Sequence, residues 1–275
     1  MKRLSSGYKV NTTAAVAAPY STEQLREEEL EEARAIQSGM LPTESLQAGY
    51  VRITHHFQPV AEVGGDFLDY FELSDGCIGL YIGDVSGKGL PAALYAALAV
   101  GTLRGVHKTG QSPSDVLATL NRRLLLRGIP RRYCAAQYAV LDPGTHKMHI
   151  ASAGMLGPLH FSAQGCSLLQ IPGIPPGLCN FAAYETSTLI LEQGDSVLFC
   201  TDGIMEALNP GDQEFGIERL QSFCERRLGM SSSALLEGIF SAVESFRGGR
   251  SQSDDMAAAV FRWQFEEAQE RRLSR

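Results

Sequence analysis

Hydrophobic and polar positions alternate with a period of two over several short stretches of this 275-residue chain, and with a helical period over others. Val51, Ile53, His55 and Phe57 are separated by single, mostly polar residues, which predicts a half-buried strand. Two further runs, 66–73 (DFLDYFEL) and 77–85 (CIGLYIGDV), bracket Ser74-Asp75-Gly76 and read as a hairpin. The stretch from Gly89 to Val106 is rich in Ala and Leu, with Pro91 near its start, where a helix tolerates proline. A second helix is expected over 114–127, after Ser112-Pro113. Strand-like runs follow at 133–141, 146–153, 157–163, 186–191 and 196–201, with helices at 216–227 and 232–246. A last strand covers Met256 to Phe261, ahead of a charged terminal helix. Strands, then helices, then long antiparallel stretches suggest layered α and β structure and not a Rossmann alternation. No internal repeat is visible.

The N-terminal part divides differently. Residues 1–20 have no period and read as a flexible tail or linker remnant. Residues 21–42 read as a linker helix: Ser21 and Gln24 resemble a capping box, glutamates crowd the first turns, and Pro42 ends the segment. Its apolar stripe, Leu30, Ala33, Ile36, Met40 and Leu41, gathers at the C-terminal end, so the front half is expected to be solvated and the back half docked. One domain is expected over 43–264, with a charged tail or helix end at 265–275.

Composition narrows the function. A hydrophobic content of 44% and a charged content of 20% suit a globular domain with a sizeable core. No apolar run reaches the ~18 residues that cross a bilayer, and no secretory signal follows Met1-Lys2-Arg3. The six cysteines are scattered without a C-x-x-C pair, which speaks against zinc or redox chemistry and for a reducing, cytoplasmic setting. A net charge of −7 argues against a nucleic-acid partner, because neutralising phosphates needs a clustered basic surface.

The candidate chemistry lies in the aspartates. Asp66 follows Gly64-Gly65 and opens a strand; Asp84 closes 78–83 (IGLYIG) and leads into Ser86-Gly87-Lys88-Gly89. Asp202 closes 197–201 (VLFCT) and precedes Gly203, and Asp254-Asp255 stand before the apolar run 256–260. Each acid lies where a hydrophobic strand meets a turn, and strand ends at one sheet edge can converge. Clustered carboxylates stay ionised together only if cations compensate them, and an all-oxygen set suits Mg²⁺ or Mn²⁺. Asp-Gly and Gly-Asp are also ordinary turn formers. Spacing alone leaves both readings open.

The segments Val63-Gly64-Gly65-Asp66-Phe67, Gly83-Asp84-Val85-Ser86-Gly87-Lys88-Gly89, Gly194-Asp195, Thr201-Asp202-Gly203 and Ser253-Asp254-Asp255-Met256 carry a resemblance. Together with Ile36-Gln37, Leu41-Pro42, Ser152-Ala153-Gly154, Pro175-Pro176-Gly177-Leu178 and Glu206-Ala207-Leu208-Asn209, the chain resembles the metal-dependent serine/threonine protein phosphatases. The match is to their bacterial branch, that of stage II sporulation protein E and RsbU, in order from about residue 33 to 262. The resemblance implies an α+β fold, an α-β-β-α sandwich of two antiparallel sheets flanked by helices, with a metal cleft at one edge. It implies two divalent cations, Mn²⁺ or Mg²⁺: Asp84 bridges them and positions water, the Val85 carbonyl completes one shell, Asp66 serves one cation, and Asp202 and Asp254 serve the other. Such a site hydrolyses phosphoserine or phosphothreonine in a protein, here expected to be a phosphorylated anti-sigma-factor antagonist in bacterial signalling. It also implies a linker helix that couples upstream signals, or a homodimer, to the cleft.

The chain departs from the wider family where a histidine follows the bridging aspartate by two residues; here that place is Ser86. Met155 stands where many of the branch have histidine. Asp69, Ser86, Gly87, Lys88, Gly203 and Asp255 are candidates for supporting or phosphate-contacting positions. Lys88 lacks P-loop spacing and reads better as a solvated turn lysine than as a phosphate contact, and Asp69 falls on the strand face opposite Asp66. His55 and His56, on alternate faces of one strand, are expected to have a surface or packing role and not a catalytic one. The rival functions are a catalytically silent scaffold of the same fold and a hydrolase of small phosphoesters.

Overall fold

The computed structural model describes residues 22–106, 111–126 and 128–264. The expected tail 1–20, the Ser21 cap and the charged segment 265–275 lie outside the described residues. In chain order the helices are α1 (Thr22–Ser38), α2 (Leu90–Val106), α3 (Pro113–Leu125), α4 (Gly216–Glu225) and α5 (Ser232–Arg247). The strands are β1 (Leu46–Ala48), β2 (Val51–Gln58), β3 (Phe67–Glu72), β4 (Ile78–Val85), β5 (Cys134–Asp142), β6 (Lys147–Ala153), β7 (Leu159–Ser162), β8 (Gly165–Leu168), β9 (Ser187–Ile190), β10 (Ser196–Cys200) and β11 (Met256–Trp263).

These strands form two antiparallel sheets, ordered β1-β2-β11-β10-β7-β8 and β3-β4-β5-β6-β9. Strand alternation sorts side chains between three apolar layers. Ile53, Leu68, Leu80, Ile82, Val197, Phe199, Ala257 and Ala259 meet between the sheets. Tyr81, Val85, Ala136 and Tyr138 turn the other way, onto α2 and α3. Leu198, Ala258 and Val260 turn onto α4 and α5. Each fully buried Leu, Ile or Phe contributes about 1.5–3 kcal/mol, and the two-sided strands explain why β4 and β11 read as near-continuous apolar runs. The result is the α-β-β-α sandwich.

Local signals set the helix limits. Ser112 caps α3, accepting from the Asp115 N–H, with Pro113 in the first turn. Ser231 caps α5 in the same way, and Gly248 ends it in the left-handed region.

The linker helix differs from its expectation. It ends at Ser38, and Ile36, assigned to the docking stripe, is 69% exposed. Met40 and Leu41 do pack on the domain, but the buried residue of the helix is Gln37, at 6% exposure. The last turn of α1 meets a stretch of main chain, and a polar side chain suits that contact better than an aliphatic one.

Candidate metal centre

The strand parity that builds the inter-sheet layer continues past its end. Positions 68, 80, 82, 197, 199, 257 and 259 face inward, so Asp66, Asp84, Thr201 and Asp255 carry the same parity one step beyond the apolar residues. Asp66, Asp84 and Asp255 therefore cap the inter-sheet core at one edge. Asp66 and Asp84 come from one sheet; Asp202, Asp254 and Asp255 come from the other.

Asp66 is buried at 2% exposure, and its Oδ2 accepts a 2.7 Å hydrogen bond from the Thr201 hydroxyl across the two sheets. Thr201 in turn accepts from the Ala257 N–H at 2.9 Å, which fixes its rotamer. Burial holds the Asp66 carboxyl well above the usual carboxylate range, the charge on Asp84 adds to this, and the Thr201 bond offsets part of it. Asp84 is pushed up to about 7, first by burial and then by the charges of Asp202 and Asp254. Asp202 is raised by burial and by Asp254. Glu206, at the cluster's rim, is raised by burial and then by Asp202. These shifts share one electrostatic demand: positive charge among the acids would relieve all of them.

The main chain is shaped to the same end. A Cβ on Gly65 would stand 2.8 Å from the Val85 carbonyl oxygen and 2.9 Å from Asp84 Oδ1, so only glycine lets the Asp66 turn lie against those oxygens. Asp66, Asp84, Asp202, Asp254 and the Val85 carbonyl would supply an oxygen-only donor set, of the chemistry that suits hard divalent cations. Among the described residues no three His, Cys, Asp or Glu side chains already stand in an arrangement that would hold an ion. Asp254 instead pairs with Lys88, whose ammonium lies 2.9 Å from Oδ2 and also donates to the Ser253 carbonyl.

Other expected positions divide in two. Asp255 is a clamp: its Oδ1 accepts from Val60 N at 2.8 Å and its Oδ2 from Gly65 N at 2.7 Å. Gly203 packs against it, since a Cβ there would meet the Asp255 carbonyl. Ser86 turns its hydroxyl from the acids, donating to the Arg131 carbonyl and accepting from Tyr133 N, while Arg132 donates to the Ser86 carbonyl beside Gly87. Asp69 stands apart from the cluster. On the opposite strand face it accepts from Arg104 at 2.8 and 3.0 Å and from the Tyr81 hydroxyl, so it ties β3 to α2 and does not support the centre. Met155 packs on the inter-sheet core. His55 bonds to Tyr70, and His56 lies against the Phe240 ring.

Thr201 and Gln37 were named within motifs but given no role by the sequence. Gln37 had a readable signal, being a polar residue in the middle of the stripe formed by Ala33, Met40 and Leu41. Thr201 had none, because its bond depends on the two sheets meeting.

The family model for stage II sporulation protein E (SpoIIE) matches residues 74–264, more than half of the chain. The chain belongs to the SpoIIE family. Among curated proteins it is 26% identical over 219 residues to "Phosphoserine phosphatase RsbU" of Bacillus subtilis (strain 168), covering 78% of this chain and 64% of that one. It is 29% identical over 183 residues to "Phosphoserine phosphatase RsbP" of the same organism, covering 65% and 45%. The chain thus spans less than two thirds of these relatives' length. Among solved structures, the SiaA-PP2C domain of Pseudomonas aeruginosa superposes with a TM-score of 0.77 at 20% identity, covering 87% of this chain and 97% of that one. The SpoIIE-family chain therefore has the fold of a PP2C phosphatase domain.

Proposed function

We propose that this chain is a cation-dependent serine/threonine protein phosphatase, with two Mn²⁺ or Mg²⁺ ions held by the acid cluster. The observation that carries the reading is the buried Asp66 beside the half-buried Asp84, both driven toward protonation by their surroundings, with two further acids from the facing sheet. Asp84 would be shared between the ions, with Asp66 and the Val85 carbonyl on one side and Asp202 and Asp254 on the other. Bound there, divalent cations neutralise the phosphate and bring the pKa of a coordinated water to near neutrality.

The chain's own residues do the positioning that phosphoryl transfer mostly requires. The Thr201 hydroxyl occupies Asp66 Oδ2 and so orients that carboxylate. Asp255 holds the 60–65 segment in place. Lys88, half exposed and paired with Asp254 at the mouth of the cluster, would turn to a substrate phosphate once cations take that carboxylate. A thiolate nucleophile is disfavoured: burial and then the charges of Asp202 and Asp66 push Cys200 up to about 12, and burial and Asp84 raise Cys134. Retention of all four acids speaks against a silent scaffold. The names of the RsbU and RsbP relatives support phosphoserine as the substrate group, and the resemblance to their branch suggests a phosphorylated anti-sigma-factor antagonist as its carrier.

The test is turnover on a panel of phosphoserine proteins, nucleotides and sugar phosphates, with Mn²⁺ and with a chelator. Mn²⁺-dependent release of phosphate from phosphoproteins is expected. Full turnover in demonstrably metal-free buffer, or turnover confined to small phosphoesters, would overturn the proposal.

A further inference from the structure

One contact joins α1 to the acid cluster. The Gln37 side-chain amide donates to the Gly64 carbonyl at 2.7 Å and accepts from the Gly64 N–H at 3.0 Å. Both bonds are buried, and they reach across 27 residues to a point two residues before Asp66. The peptide unit between Gly64 and Gly65 is thereby gripped from both sides, its oxygen by Gln37 and its N–H by Asp255 at 2.7 Å. The space is closed: a Cβ on Gly64 would stand 2.0 Å from Asp255 Oδ2. A buried side-chain amide costs stability unless both its groups are met, and here a single residue of main chain meets both. No aliphatic residue at position 37 could read the orientation of that peptide.

We infer that Gln37 is a positioning residue for the Asp66 side of the centre, its amide fixing the Gly64 main chain so that the last turn of α1 sets where the Asp66 carboxylate stands. This rests on the assignment of Asp66 as a cation ligand. Loss of an outer partner of this kind typically weakens metal binding by about 10–100-fold.

The experiment is a calorimetric Mn²⁺ titration of the wild-type chain and of Gln37→Met, Ile36→Ser and Asp66→Asn, each with a melting curve. Gln37→Met keeps length and helix propensity but removes both hydrogen bonds. It should bind Mn²⁺ at least about tenfold more weakly while still melting cooperatively, with turnover recovering at saturating Mn²⁺. Ile36→Ser, next to it but exposed, should bind as wild type does. In the wild type, exchange of the Gly64 amide should slow when Mn²⁺ binds, since coupling is reciprocal; this measurement needs no variant to fold. If Asp66→Asn binds weakly while Gln37→Met binds as wild type, or if Gly64 exchange ignores Mn²⁺, the inference is wrong and the ligand assignment stands. If Asp66→Asn itself binds Mn²⁺ normally, the ligand assignment fails and the inference falls with it.

Discussion

At Asp84 the competing effects are plainest. The carboxylate is largely buried, faces Asp202 and Asp254, and is pushed up to about 7. Asp84→Asn removes one of the repelling charges, so the metal-free variant should melt higher than the metal-free wild type. Its turnover with Mn²⁺ should fall about 10³-fold, roughly 4 kcal/mol of barrier. Melting curves in chelator and turnover at saturating Mn²⁺ check the two halves; near-normal turnover would mean that another residue bridges. His55 gives a prediction of different sign. Burial, and then the charge of His56, lowers its pKa, with Asp69 opposing in part. As pH drops below the ordinary histidine value near 6.5 the unfolded chain takes up a proton that the folded one resists, so stability falls until the folded value is passed. Melting temperature should drop less between pH 7.5 and 5.5 in His55→Gln than in wild type, and an equal drop would absolve this histidine. The acids were legible because strand ends and turns announce themselves in sequence. The work of Thr201, Asp255 and Gln37 was not, since each is defined by a partner 27 to 195 residues away.

Elements follow the same division. β4 and β11 were readable because apolar residues fill both faces, as were α3 and α5, whose serine caps stand ahead of helical periods. β1 and β8 went unseen: they have three and four residues, lie at the sheet edge, and bury little that would set a period. The docking of α1 was misjudged for a related reason, because a stripe shows which side of a helix is apolar and not whether a surface lies opposite. Ile36→Asp should change stability by no more than about 0.5 kcal/mol, as exposed substitutions do. Met40 packs on the layer beneath α2 and α3, and its carbonyl accepts from Arg104 at 2.8 Å. Met40→Asp should cost about 1–3 kcal/mol. Denaturant midpoints of the two variants decide; equal effects would contradict this placement of α1.

Across the whole molecule, the acids are shared between two sheets that pack through apolar side chains, with polar links from Thr201 to Asp66 and between His55 and Tyr70. Cations bound there would tie the sheets together, and ligand that binds only the folded state adds about 2.7 kcal/mol at a hundredfold excess over Kd. In a domain of this size that is a rise in melting temperature of about 5–10 °C. Mn²⁺ should produce it, chelator should reverse it, and Asp202→Asn should abolish most of it. A melting temperature indifferent to Mn²⁺ in the wild type would argue against the shared site.

The order of strands has a consequence for how the molecule comes into being. β3, β4, β5 and β6 pair in the order in which they occur along the chain, with α2 and α3 between β4 and β5, so most of one sheet can form as the chain leaves the ribosome. The other sheet cannot. β11 lies between β2 and β10, pairing Met256 with Gln58 and Trp263 with Val51, so β2 waits for a strand made much later. Closing such a distant pairing is slow, and until it closes β2 offers an open edge. The same strand follows Asp254 and Asp255 directly, so a chain still in synthesis has no complete acid cluster and no clamp on the turn before Asp66. On this arrangement the full set of acids comes together in one step, when β11 pairs with β2.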